Sequence, residues 1–298
     1  MTKDLNNIYN RYLIDSESSL KHLDLLKQTI SLCLYSGYLR ERKKLSLLIV
    51  APVGTGKSMT LKLFKGNQNT YTINQTTRYG LANDVLPLFQ AASKTGTSLN
   101  HIIIPAFETI LEGQHGSVSY LVNFLSALIE EGIYKIKTYN LDYDFDPPAQ
   151  CGLLTATTDT FLMEKKLSFV RDIGFLSRFI IFSYKYGPET EKDVMDEIKY
   201  GRNIHYDNID IHPPAFNTEV VCDGKFVDLF DWTASYQKRS GISAPSRVYE
   251  HIRILLKSSA LAASRKEVNN DDVSLVMKIA QHMNLDMLQM EPDKIEFS

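Results

Sequence analysis

Cysteine is scarce: Cys33, Cys151 and Cys222 are the only three in 298 residues. They stand far apart and never adopt the CxxC spacing of a zinc-ligand pair or redox motif. A disulfide-stapled secreted fold and a zinc ribbon are therefore not expected, and free, mostly buried thiols in a reducing cytoplasm are. The seven histidines show no metal-ligand spacing either. No apolar run approaches the ~18 residues needed to span a bilayer, and the opening MTKDLNNIYN lacks the apolar core of a signal peptide. No membrane partner is expected. An excess of positive charge is also missing, since 33 Lys and Arg face 35 Asp and Glu for a net charge of -2. That excludes a global basic field for non-specific nucleic-acid binding, so any DNA contact must come from local patches. Internal repeats and low-complexity tracts are absent too.

What is present is ordinary for one large or two modest folded domains, with 44% hydrophobic and 23% charged residues. From Ile8 to about Leu39 the apolar positions Leu20, Leu23, Leu26, Ile30 and Leu34 recur at helical spacing, ending on the basic cluster Arg40, Arg42, Lys43, Lys44. That cluster reads as a solvated face. Leu45 to Val50 then forms a near-continuous apolar run of strand length, the pattern of a parallel strand buried on both faces. Further strands are expected at Thr70–Asn74, His101–Ile104, Gly152–Ala156 and Phe179–Tyr184, separated by helices at Leu81–Lys94 and Ser117–Glu131. This alternation implies a parallel sheet with helices on both faces. Within it, Ile133–Thr138 and Leu141–Phe145 read as a hairpin turning near Tyr139 and Asn140, and Glu130-Glu131 as a helix end. The segment 189–240 is polar and weakly periodic. A helix resumes near Pro245, with Val248, Ile252, Leu255, Leu256 and Leu261 on one face, and Asn270 is placed to cap a last helix. The expected organisation is a helical lead-in (1–44), an α/β core (45–188) and a mainly helical C-terminal part (189–298).

The residues after the first strand carry the clearest chemistry. Ala51, Pro52, Val53, Gly54, Thr55, Gly56, Lys57 and Ser58 fit a phosphate-binding loop with Ala in place of its first Gly. The relaxed pattern arises by chance in about 2% of chains of this length. Gly54 and Gly56 allow backbone conformations that point successive N–H groups at phosphate oxygens, and a helix starting near Lys57 adds its positive end. Lys57 would reach the β- and γ-phosphates and Ser58 would hold Mg²⁺. The residues expected to touch ATP run from Pro52 through Met59.

Pro-x-Gly-x-Gly-Lys-Ser after a buried strand resembles the AAA+ branch of P-loop ATPases, and later segments follow in matching order. The resemblance implies a three-layer P-loop core with a helical lid, and an ATP- and Mg²⁺-dependent subunit of a homo-oligomeric ring such as a hexamer. AAA+ proteins end the next core strand in an Asp-Glu pair. Here the strand runs into Pro105, Ala106, Phe107 and Glu108, so Ala106 stands at the metal Asp and Phe107 at the catalytic Glu. Binding of ATP is expected to survive and hydrolysis to suffer. Glu108 is either a displaced base or a helix-start carboxylate. Thr158, after Gly152–Ala156, is similar to the sensor that contacts the γ-phosphate, or else simply ends a Thr-rich strand. Leu176-Ser177-Arg178-Phe179 resembles the arginine-finger segment of MCM helicases and MoxR-type ATPases. Arg178 would then stabilise the transition-state charge across a subunit interface, or is a surface arginine. Ser246-Arg247-Val248 is similar to a lid helix carrying a second sensor, Arg247, above the γ-phosphate, with Arg253 pairing at the surface. The hairpin resembles the one that precedes sensor 1 in the group containing MCM, MoxR and magnesium chelatase. Its Lys135 and Lys137 would grip DNA phosphate, or serve as edge lysines that discourage aggregation. The resemblance points to a DNA motor or loader; a protein remodeller and an ATP-gated scaffold are the alternatives.

Overall fold

The computed structural model describes residues 23–76, 78–95, 99–111, 115–137, 141–163, 174–200, 207–214, 217–223 and 245–283. The first part of the lead-in, the hairpin turn at Tyr139 and Asn140, and most of 201–240 lie outside them. In chain order the elements are α1 (Asp24–Tyr35), β1 (Leu47–Val50), α2 (Lys57–Lys62), β2 (Thr70–Thr72), α3 (Arg78–Thr95) and β3 (His101–Ile104). Then come α4 (Glu108–Leu111), α5 (His115–Ile129), β4 (Ile133–Lys137), β5 (Asp142–Ala149), β6 (Gly152–Thr157) and α6 (Asp159–Met163). The chain continues through β7 (Ile180–Ser183), α7 (Pro188–Lys199), α8 (Pro245–Ala262) and α9 (Asn270–Gln281).

Five strands form one parallel sheet in the order β2-β3-β6-β1-β7, while β4 and β5 pair separately and antiparallel. The apolar run of β1 is continuous because both of its faces are covered. Leu47 and Ile49 join one apolar cluster with Ile103, Leu154, Ala156, Ile180 and Phe182. Leu48 and Val50 join another with Ile102, Ile104, Leu153 and Ile181. All four β1 side chains have no exposed surface, and burial of each contributes roughly 1.5–3 kcal/mol.

The first face is covered by α1 with α8 and α9: Leu26, Ile30 and Leu34 of α1 meet Val248, Ile252, Leu255, Val276 and Ile279 in one cluster. Pro at the first helical position suits the start of α8. The cap of α9 is Asn269, one residue earlier than expected. Its side chain accepts from the amides of Asp271 and Asp272, and the Asp272 carboxylate accepts from the Asn269 amide in return. Asp272 is fully buried and also bound by Ser259 and bidentately by Arg265. On the other face, α3 and α5 pack with the base of the hairpin through Leu81, Val85, Val122, Leu125, Ile133 and Phe145. The polar stretch after Pro188 opens with α7, twelve residues that bury little and so left no apolar stripe to read.

Candidate functional site

Parallel pairing places the loops after β1, β3, β6 and β7 at one edge of the sheet. The chain leaves β1 for the far strand β2, whereas from β6, the neighbour of β1, it crosses to β7 on the other side. Such a divergence of outgoing connections opens a crevice at the carboxyl ends of the strands, the usual ligand position in open α/β sheets. The glycine-bearing loop lies there. Gly54 and Gly56 have φ of 80° and 82°, conformations that tax any other residue. The amides of Gly54, Thr55, Gly56, Lys57 and Ser58 donate to no acceptor among the described residues. Five successive unpaired N–H groups form an anion-attracting concavity. The helix behind them, α2, has only six residues, so the amides and Lys57, rather than a helix dipole, carry that affinity.

Lys57 is buried, and its Nζ donates to the Pro52 carbonyl at 2.9 Å, beside the Thr55 hydroxyl at 2.8 Å on the same oxygen. Burial pulls its pKa down, against the opposing charges of Glu108 and Asp159. Pro52, Ser58 and Met59 are half-buried and Val53 is 81% exposed.

The acidic wall differs from the reading by alignment. Phe107 points into the core, 1% exposed and stacked on Phe175 at 5.9 Å. It is Glu108 that turns toward the crevice. Its Oε1 accepts from the Thr158 amide at 2.7 Å and the Thr157 hydroxyl at 3.0 Å. Glu108 therefore both opens α4 and bridges β3 to the end of β6. The Thr158 hydroxyl accepts from the Phe161 amide at 3.2 Å, which makes it the cap of α6 as well as a neighbour of Glu108. Asp159, overlooked in the sequence, supplies the second carboxylate near Lys57.

Tyr184 and Tyr186, beyond β7, were likewise overlooked. Both hydroxyls donate to the Thr55 carbonyl, at 2.9 and 2.8 Å. The same two side chains line a cavity of about 170 Å³ with Leu23, Leu26, Phe182 and His282. The His282 ring stacks on Phe182 at 4.7 Å, and its Nδ1 donates to the Ser183 carbonyl at 3.0 Å. Burial keeps this imidazole below its ordinary pKa, partly offset by that hydrogen bond. Cavities of about 150 Å³ are known to admit an aromatic ring. A Tyr-x-Tyr repeat after a buried strand, with both rings on one side, is the signal that could have flagged the pair.

The expected arginines sit elsewhere. Arg178 lies two residues before β7, level with the residues just before β1, about 20 Å from the loop at 3.3 Å per residue. Its Nε lies 3.3 Å from Glu130 Oε2, and another guanidinium nitrogen donates to the Gly174 carbonyl at 2.7 Å. Arg247, expected as the second sensor, lies 3.4 Å from Glu130 Oε1 and donates to the Ser177 hydroxyl, beside Arg178. Lys43 completes the group, 2.9 Å from Glu130 and 2.8 Å from Glu250. Glu130 is thus a hub for three cations and not a plain helix end, and Lys43 is only partly solvated. Glu41 similarly holds Arg253 at 3.0 Å and Lys257 at 2.7 Å. Lys135 and Lys137 are exposed and lie 2.9 and 3.5 Å from Asp144 and Asp142 across the hairpin. Among the described residues no group of three or more His, Cys, Asp or Glu could hold a metal ion, and no helix is long and apolar enough to cross a membrane.

No protein-family model matches the chain, and no curated protein is significantly similar to it.

Burial alone would raise the Glu130 carboxyl, but the hydrogen bond from Lys43 and the charges of Lys43, Arg247 and Arg178 outweigh it and hold its pKa below the ordinary 4.5. The carboxylate therefore stabilises the fold above that value, and its contribution fades as pH falls through the depressed folded-state value. Glu130→Gln is expected to cost about 1–3 kcal/mol at pH 7. The gap to wild type in urea unfolding should shrink below about pH 4.5; a gap independent of pH would show that the charge is not what matters.

Proposed function

We propose that this chain is an ATP-binding subunit of the AAA+ type that hydrolyses ATP and works as a homo-oligomeric ring. The observation that carries the reading is the row of unpaired amides from Gly54 to Ser58 wrapped around buried Lys57, with Glu108 and Asp159 nearby. It is supported by the neighbouring ring-sized cavity, suited to a base, and by the parallel strand order with the loop at its crevice. Under this reading β4–β5 is the presensor-type hairpin, and α8 and α9 belong to the lid.

Binding would exchange the Pro52 carbonyl at Lys57 Nζ for phosphate oxygens, an ion pair in place of an ion–dipole contact. Mg²⁺ commonly uses one or two carboxylates plus substrate phosphates, and the donors present fit that pattern: the Ser58 hydroxyl would hold it, with Glu108 or Asp159. When bound it neutralises charge on the phosphates. Glu108 is the one carboxylate tied to the Thr158 amide, so it would orient and deprotonate the attacking water, a task Phe107 cannot perform from the core. Lys57→Ala should weaken ATP binding roughly 10- to 100-fold by calorimetry. Glu108→Gln should keep binding and lower turnover roughly 100-fold or more; unchanged turnover would remove Glu108 from the mechanism.

Arg178 cannot reach the phosphate loop of its own chain across about 20 Å of sheet, so its part in turnover requires a neighbouring copy. ATP-dependent growth in size by light scattering is expected for wild type. Arg178→Ala should abolish turnover while keeping ATP binding; full turnover by an isolated monomer would count against the ring.

The expected DNA grip rests on Lys135 and Lys137, and each is already paired. The described hairpin residues carry three aspartates, Asp142, Asp144 and Asp146, against two lysines. This balance favours the second reading, a MoxR-like remodeller acting on protein. Single-stranded DNA added at two salt concentrations should then leave turnover unchanged; a stimulation that weakens with salt would restore the motor reading.

A further inference from the structure

We infer that Tyr184 and Tyr186 are positioning residues of the phosphate loop, holding the Thr55–Gly56 peptide so that the Gly56 amide faces the bound phosphates. The inference rests on the nucleotide reading above and names how that site is kept in shape. Two phenols two positions apart in one strand exit converge on a single carbonyl, at 2.9 and 2.8 Å. A carbonyl oxygen has two lone pairs, so both bonds can be made at once. In a trans peptide the carbonyl and the following N–H point in opposite directions. Anchoring the Thr55 oxygen toward β7 therefore aims the Gly56 N–H the other way, toward the crevice, where it donates to nothing among the described residues.

The anchor is needed because of the residues around it. Gly54 and Gly56 flank this peptide, both at positive φ, and glycine leaves such backbone free to rotate. A rotated peptide would present its carbonyl to the phosphates and repel them. Thr55 itself is tied back by its hydroxyl to the Pro52 carbonyl at 2.8 Å, which fixes the side chain but not the plane of the next peptide. Burial pushes both phenols above their ordinary pKa, so they remain donors at neutral pH.

The two tyrosines also wall the cavity. A ring bound there rests on the side chains that hold the loop, so occupancy of the cavity and affinity for phosphate are coupled, each changing the other by the same factor.

The test measures dissociation constants of ATP and of adenosine for wild type, Tyr184→Phe, Tyr186→Phe and the double variant, with thermal melting as a control for folding. Phenylalanine keeps the cavity wall and removes only the hydroxyl. In the double variant the preference for ATP over adenosine is expected to fall at least five-fold, with each single variant, which keeps one donor, losing less. A preference that stays within five-fold of wild type overturns the assignment, whatever happens to the melting temperature, because a merely structural role would not separate the two ligands. Should the double variant fail to fold, Tyr186→Phe alone must lower the same preference at least two-fold, or the assignment falls. A wild-type protein that binds no ATP removes the nucleotide reading and this inference together; a wild type that binds, with an unchanged double variant, removes only the tyrosines.

Discussion

Parallel pairing of β1 with β6 on one side and β7 on the other is the constraint on which the rest of the molecule depends. It sends the carboxyl ends of three adjacent strands to one edge, so the glycine loop, the Thr157–Thr158 step and Tyr184 meet there although they are far apart in the chain. It sends the amino ends to the other edge, where Lys43, Arg178 and the residues before β6 gather around Glu130. Each β1 residue must be apolar on both faces for this to work, and all four are fully buried. A polar substitution in the middle of that strand would damage both edges at once.

The strand pattern and the loop were legible because their signals are local. Buried parallel strands read as unbroken apolar runs, and His101–Ile104 agrees with expectation to the residue. The loop motif lies within eight consecutive positions. What escaped are contacts that join distant residues. Tyr184 and Tyr186 meet Thr55 across 129 and 131 positions, and Lys43 meets Glu130 across 87. No periodicity encodes such a meeting; it follows from strand order, which apolar runs alone do not fix. Helix α7 escaped for the opposite reason: it buries so little that it carries no stripe.

The acid near Lys57 illustrates how alignment and geometry differ. Counting from the strand end puts Phe107 in the crevice, yet an aromatic ring there would be exposed, and the chain instead turns so that Phe107 stacks on Phe175 inside the core. The amide of Phe107 still donates to the Ala156 carbonyl at 2.7 Å, so this turn remains stitched to β6. Glu108 is thereby brought under Thr158. The carboxylate sits one residue later in the chain, and hydrophobic burial decides which side chain faces water.

The separation of the two edges also has a consequence for how copies of the chain can meet. Under the proposed ring, the guanidinium edge of one copy meets the glycine loop of the next, a head-to-tail, heterologous contact that either closes or runs on as a filament. An open row always leaves one cradle without a guanidinium and one guanidinium without a cradle. Closing that row gives every copy the same surroundings.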